Sequence, residues 1–481
     1  GEFLVDLLDV LFGVSLVLSS HCPPPMKDRE PLSGVDAAWL RMDSPTNRMI
    51  ITSVLVLEDR MELSTLRALV QERFLGFPRF RQRVEDTGAG PRWAMDPHFD
   101  LTQHVQRTAL PGAASQAELQ ERVSELMSMP LDDAKPLWHM ELIEDFQGGS
   151  AVIVRIHHCI ADGIALVQVL LSLTDEYFDP SRFPDLKRSQ SLLPGVVKAP
   201  INAVRSVANA GGKLLSESVE SFLNPKHLTT RAKQGLSLGA ALSKFALIEP
   251  DSDTMLKGDL SVAQRVAWSK ALSLQSVKEM GHSLDAKIND VLLGAVAGAL
   301  RHYLHDHGAP TDGVMVRALI PVNLRPVEKA FEMGNRFGLV YLNLPVGGEG
   351  HVNCVRDVKQ QMDEIKASSE AVAAFGILEA LGYFPMEIEE RAVTLFSSKA
   401  SAVMTNVPGP REQLHLKGSR LQHIMPWVPR AGSIGLGVSI FSYNGTVRVG
   451  VACDAHLIPD PSTIVTGFMD NFNGLANQLT E

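Results

Sequence analysis

No two of the four cysteines in this 481-residue chain stand close enough together to share a role. Cys22, Cys159, Cys354 and Cys453 make no CxxC pair and no spacing suited to zinc or a disulfide framework. Free thiols in a reducing compartment are the expectation. The sequence also lacks any run of basic residues interleaved with aromatics. Its 45 Lys and Arg face 55 Asp and Glu, a formal net charge of -10. That balance argues against nucleic acid as a main partner, because phosphate recognition needs clustered basic side chains. Nor does the apolar N-terminal stretch reach the ~20 residues of a bilayer-spanning helix; its unbroken part covers only 10–18. What remains is ordinary globular composition, 45% apolar and 21% charged. The length suffices for two domains with full cores.

Residues 3–18 are largely apolar but carry Asp6 and Asp9 where a signal peptide would be basic. They suit a helix lying in a membrane surface or one buried against protein, and composition leaves both open. Pro23, Pro24 and Pro25 follow, which no helix crosses. Residues 1–30 therefore read as an apolar extension with a proline linker. A first domain is expected over 31–180 and a second over 261–481. Between them, 181–260 carries Ser, Gly and Ala runs, scattered Lys and Arg, and helical spacing near 196–207 and 238–248. It reads as a long helical crossover, packed on its own domains or facing lipid.

Aliphatic and β-branched residues predict strands at 50–57 and 150–157. Ser64 ahead of apolar spacing predicts a capped helix over 64–74, and Pro130 closes another over 116–129. The long apolar run at 163–173 predicts a buried helix, and the turn before it is expected at the edge of a sheet, reaching a cleft. In the second half, strands are expected at 264–268, 314–322, 338–344, 431–441 and 446–452. Asn444-Gly445 between the last two is a hairpin signal. Helices are expected at 274–282, 289–305 and 461–479. Strands and helices mix in both halves, so the class is α/β or α+β.

His157 and His158 end one predicted strand, where neighbouring side chains point to opposite faces. A neutral imidazole can take a proton from a hydroxyl or thiol. Asp162, four residues after His158, could fix the turn, pair with an arginine or cap the following helix. Spacing alone does not choose among these. Cys159 is a poor nucleophile candidate, since its side chain diverges from that of His158. His302, His305 and His307 cluster at a helix end, where the dipole suits them without a metal. The glycines at 432, 435 and 437 lack the lysine of a phosphate loop.

The full string His157-His158-Cys159-Ile160-Ala161-Asp162-Gly163 matches the HHxxxDG signature of chloramphenicol-acetyltransferase-like acyltransferases and peptide-synthetase condensation domains. Asp36-Ala37-Ala38-Trp39-Leu40, Pro136-Leu137-Trp138, Asn289-Asp290, Pro321-Val322-Asn323-Leu324-Arg325, Gly334-Asn335 and Asn406-Val407-Pro408-Gly409-Pro410 follow the order of segments in one branch. Over residues 31–481 the chain resembles the bacterial-type wax ester synthase/diacylglycerol acyltransferases. The resemblance implies two chloramphenicol-acetyltransferase-like domains, each a mixed sheet covered by helices. It implies that His158 is a general base, with His157 beside it and Asp162 holding the loop. Gly163 would permit the turn. Asn289 would help at the reacting carbonyl or open its helix as a cap; Asp290, Pro136 and Trp138 would support the fold.

The implied reaction moves a fatty acyl group from acyl-CoA to a long-chain alcohol or diacylglycerol. It needs no metal and no cofactor, acyl-CoA being a substrate. Such acceptors imply a cytoplasmic protein held peripherally at the inner membrane or lipid inclusions, and oligomerisation stays open. Two rivals remain: a condensation-like enzyme using carrier-bound acyl groups, and a silent lipid-binding protein of the same fold.

Overall fold

The computed structural model describes residues 29–88, 90–177, 248–324, 335–348, 350–367, 374–378 and 386–480. The apolar stretch 3–18, the proline run, the helices expected in the crossover (Ile248 excepted), Arg325 and Gly334 lie outside these residues. In chain order the first half carries β1 (Arg29–Pro31), α1 (Gly34–Arg41), β2 (Ile50–Leu57), α2 (Leu63–Leu69), β3 (Gln82–Asp86), β4 (Pro91–Met95), β5 (Val105–Thr108), α3 (Gln116–Ser128), β6 (Trp138–Phe146), β7 (Gly149–His157) and α4 (Gly163–Ser172). The second half carries β8 (Gln264–Trp268), β9 (Leu272–Ser273), α5 (Leu274–Ser283), α6 (Ile288–Asp306), β10 (Val316–Asn323), β11 (Phe337–Leu344), α7 (His351–Ala367), α8 (Met386–Ser397), β12 (Ala402–Pro408), β13 (His415–Leu416), β14 (Ser419–Trp427), β15 (Leu436–Tyr443), β16 (Thr446–Asp454) and α9 (Pro461–Thr480).

The strands pair into a six-stranded sheet, β13-β14-β2-β7-β6-β5, and a seven-stranded one, β11-β10-β12-β15-β16-β8 with β9 beside β16. β1, β4 and β3 make a small third sheet. Strands and helices are mixed throughout, the α/β class expected. β14 belongs to the second half of the sequence but pairs antiparallel with β2, Met425 opposite Val54 and Trp427 opposite Thr52. The two halves are thus joined by a shared sheet. Where β14 approaches β16, a Cβ on Gly450 would come within 2.7 Å of the Trp427 indole nitrogen, so a residue without a side chain makes the close passage possible.

β7 lies between β2 and β6, and all nine of its residues are buried. That corrects the expectation of a sheet edge: the motif leaves the end of an interior strand, covered on both faces. On one face Val152, Val154 and Ile156 join a core with Leu55, Phe74, Trp138 and Leu166. On the other, Ala151 and Ile153 pack against Leu119 and Val123 of α3. Each buried valine, leucine or isoleucine here stabilises the fold by roughly 1.5–3 kcal/mol.

Two boundaries differ from expectation for local reasons. Ser64 does not cap α2, which starts one residue earlier with Glu62 at the cap position; the Ser64 hydroxyl instead donates to Glu62 Oε2 at 3.2 Å. The strand expected at 431–441 starts only at Leu436. Gly432 takes a left-handed φ of 59°, and Asn47 Nδ2 draws away the carbonyls of Gly432 and Ile434 at 2.8 and 3.2 Å. The hairpin signal is realised, with Asn444 at φ 46° and Gly445 at φ 73°, the pair of left-handed residues a type I′ turn requires.

Candidate active site

β7 stops at His157 because the chain turns there. The His158 N–H donates to Met49 O at 2.7 Å and the Ile160 N–H to His157 O at 3.0 Å. Asp162 then caps α4, its Oδ1 accepting from the Ala165 N–H at 2.9 Å. Of the three roles open to Asp162, the helix cap is occupied. Its second oxygen accepts from the Arg336 N–H at 3.1 Å, so a segment of the second half closes on the loop.

The two histidines part company as strand alternation requires. His157 is locked into the loop, Nδ1 accepting from the Cys159 N–H at 3.2 Å and Nε2 lying 3.8 Å from Asp43 Oδ1. The His158 ring stacks on Trp39 of α1, centroids 4.3 Å apart at 23°, and Phe337 of β11 lies 5.6 Å away. Its Nδ1 is buried and makes no hydrogen bond among the described residues. Burial pushes both imidazoles down from 6.5 to about 4, against the opposing pull of Asp162 on His158 and of Asp43 on His157. Both rings are therefore neutral at physiological pH, and His158 can accept a proton.

Next to His158 the carboxylate of Asp36 on α1 is buried. Asn335 donates to its Oδ1 from both N–H and Nδ2, at 3.1 and 2.8 Å. The same Nδ2 reaches His158 O at 2.7 Å. Sequence reasoning gave Asp36, Trp39 and Asn335 no role at the site, although each lies in a segment that carried the resemblance.

Trp138 stands opposite Ile156 on β6. Its indole donates to Phe80 O at 2.8 Å and stacks on His104 at 4.5 Å. Leu137 O accepts the His157 N–H at 2.9 Å, so the segment Pro136–Trp138 braces the end of β7. Asn289 is not a helix cap: α6 begins at Ile288 after Lys287, whose N–H is taken by Asp290 Oδ2 at 2.8 Å. The side chain of Asn289 accepts from Asn406 Nδ2 on β12, and among the described residues no hydrogen bond joins it to the His158 loop. Cys159 is buried and its thiol pushed far up by burial, which keeps it from being a nucleophile. His307 Nδ1 meets Tyr303 O at 2.8 Å, while His305 is exposed.

A narrow cavity of about 40 Å³ lies between α4 and the two sheets, with Gly163 among its lining residues. Ile51, Leu55, Val154 and Ile156 line it from the first sheet, Leu166 and Leu170 from α4, and Val407 and Phe441 from the second sheet. α4 has ten residues, about 15 Å of length at ~1.5 Å each. The walls are apolar apart from Ser53, Thr174, Thr405 and Ser439.

The model of the wax ester synthase/diacylglycerol acyltransferase catalytic domain matches residues 32–292, more than half of the chain. The chain belongs to that family. The family's C-terminal domain model matches residues 333–476. Among relatives, the probable diacylglycerol O-acyltransferase tgs1 of Mycobacterium tuberculosis is 29% identical over 398 residues, 82% of each chain. A second putative diacylglycerol O-acyltransferase of that organism is 26% identical, covering 95% of this chain and 92% of its own. The wax ester synthase/diacylglycerol acyltransferase of Marinobacter aquaeolei has the same fold, with a TM-score of 0.67 at 19% identity, over 94% of this chain and 100% of that one. The first condensation domain of the calcium-dependent antibiotic synthetase also shares it, with a TM-score of 0.58 at 14% identity over 95% and 97%. As a wax ester synthase/diacylglycerol acyltransferase the chain is an O-acyltransferase, and the fold is the two-domain one expected.

Proposed function

We propose that His158 is the general base with which this acyltransferase moves a fatty acyl group from acyl-CoA to a long-chain alcohol or diacylglycerol, giving wax ester or triacylglycerol. What supports this reading is a buried, neutral imidazole five residues before Gly163, which is one of the residues lining an apolar cavity. With Nδ1 buried and without a partner among the described residues, Nε2 takes the hydroxyl proton as the alcohol oxygen attacks the thioester carbonyl. The tetrahedral oxyanion collapses, the C–S bond breaks, and the CoA thiolate leaves with the proton held by His158. The contact with Asn406 leaves Asn289 Nδ2 as a donor for the oxyanion. The cavity along α4 takes the acyl chain by moving its walls apart, since its present volume has room for little more than water.

General-base help is worth ~10²–10⁴ in rate, so His158→Ala should lose that much of the CoA release seen with palmitoyl-CoA and hexadecanol. A variant as active as the parent would rule out this base, and no CoA release by the parent would rule out the substrates. Among the described residues no helix is long and apolar enough to cross a membrane. The acceptors themselves are water-insoluble, which favours work at the inner membrane or at lipid inclusions in the cytoplasm. Sedimentation with triolein emulsions or vesicles tests that association.

A further inference from the structure

We infer that Asp36 and Trp39 of α1, with Asn335 from the second half, are positioning residues that set the orientation of the His158 ring. The inference rests on the reading of His158 as the base. Asn335 spends one amide group on two acceptors 122 residues apart in sequence, the Asp36 carboxylate and the His158 carbonyl. It is therefore a bridge, and its anchor is a charge buried on the helix that also carries Trp39. Three residues beyond Asp36 on that helix, Trp39 covers one face of the imidazole. Phe337, two residues after Asn335, packs against both rings at 5.7 and 5.6 Å. Backbone and ring of His158 are thus held by the same two segments, one from each half.

The bridge has a chemical reason to be Asp and Asn. A carboxylate is the stronger acceptor for two N–H groups, while the His158 carbonyl needs a donor that Asp36 cannot supply. The amide between them satisfies both. Burying Asp36 nevertheless costs free energy, and its carboxyl is raised to about 6 by desolvation, with the Asn335 and Ser33 hydrogen bonds and Arg79 opposing. Packing alone would be better served by an apolar residue. A charge kept there at this cost is accounted for by the geometry it imposes on the loop. The titratable groups around the ring are His157, Cys159 and Asp162 on its own loop, Asp36 on α1 with Arg79 behind it, and Asp43 behind His157.

The test is steady-state kinetics with palmitoyl-CoA and hexadecanol from pH 3.5 to 8, on the full chain. Asn335→Ala is expected to lower kcat by ~10²-fold, the effect of a misplacement of about 1 Å, with KM for acyl-CoA within about twofold. Trp39→Leu should relieve burial of the imidazole and move the low-pH limb of kcat/KM from near 4 toward 6.5. Trp39→Phe should restore both limb and rate. Asn335→Asp faces Asp36 with a second carboxyl, which regains a donor only when one proton is shared. Its activity should therefore climb as pH falls from 7.5 to 6, where that of the parent, whose Asp36 takes up a proton near 6, does not rise. A purely structural role predicts none of these pH effects. If Asn335→Ala does not fold, the Asn335→Asp profile and the Trp39 pair decide. Parental kcat and parental limbs in these variants, with His158→Ala inactive, overturn the positioning role alone. An active His158→Ala overturns the base assignment instead.

Discussion

Arg336 donates its backbone N–H to Oδ2 of Asp162 at 3.1 Å while Oδ1 of the same carboxylate caps α4 at 2.9 Å. One side chain therefore joins the motif loop to its helix and to the second half of the chain. Loss of an N-cap costs about 1 kcal/mol, and the broken link to Arg336 adds to it. Asp162→Ala should lower the melting temperature and kcat together, whereas Asp162→Asn, which keeps the cap acceptor but sets its amide nitrogen against the Arg336 N–H, should fall between it and the parent. Thermal melts beside initial rates check this. An inactive Asp162→Ala that melts like the parent would make the carboxylate a participant in the chemistry rather than a brace.

His157 should behave unlike its neighbour. Its Nδ1 is the acceptor for the Cys159 N–H, and an unpaired buried N–H costs ~1–3 kcal/mol. His157→Ala should be destabilised by about that amount in urea unfolding and lose less kcat than His158→Ala. His157→Asn, whose Oδ1 can replace Nδ1, should recover part of the stability. Equal kcat losses for the two alanine variants would contradict the division of roles.

These contrasts also mark how far the sequence could be read. Aliphatic and β-branched runs placed β2 and β7 within one residue, and Asn444-Gly445 fixed its hairpin, because strand composition and left-handed turn residues are local properties. The signature singled out His158, which the structure buries against Trp39. Ser64 misled because the chain had already turned helical at Leu63. The crossing of β14 into the first sheet was not legible, since a pairing such as Met425 with Val54 depends on sheet packing and leaves no short-range pattern. Asn335 was hidden for the same reason. Its contact with His158 spans 177 residues and that with Asp36 spans 299, and a lone Asn beside a glycine looks like a turn. Asn289 looked like a cap because it precedes an apolar helix; Lys287 and Asp290 had taken that place two residues earlier.

The cavity along α4 gives a prediction about chain length. Leu170 lines it seven residues along α4 from Gly163, so added bulk there would fill the part of the cavity away from the His158 loop. Leu170→Trp should cut the rate with palmitoyl-CoA by tenfold or more, an order-of-magnitude expectation for a chain that no longer fits, and spare octanoyl-CoA. A uniform loss across chain lengths would place the acyl chain elsewhere.

Stability should fall with acidification, and the sign follows from which state binds protons. Burial lowers His139, His157 and His158 from 6.5 to about 4 and His423 to about 3. For each, the folded value lies below the unfolded one, so the stability it contributes is complete above pH 6.5 and is lost as pH falls toward 4. Two carboxyls oppose this. Burial raises Asp36 to about 6 and Glu389 to about 7, the latter against the pull of Arg41 2.8 Å away. Their contribution is complete below the ordinary carboxylate range and is lost as pH rises through 6 to 7. Between pH 4 and 6.5 the unfolded chain can bind up to four extra protons at those histidines, and the folded chain at most two at those carboxyls. The balance favours unfolding as pH drops. Urea midpoints should therefore decline from pH 7.5 through 6.0 to 5.0. His139→Gln, away from the His158 loop, should flatten that decline by removing one of the four. A midpoint that holds steady over this range, or a slope that His139→Gln leaves untouched, would show that these imidazoles are not kept neutral by burial.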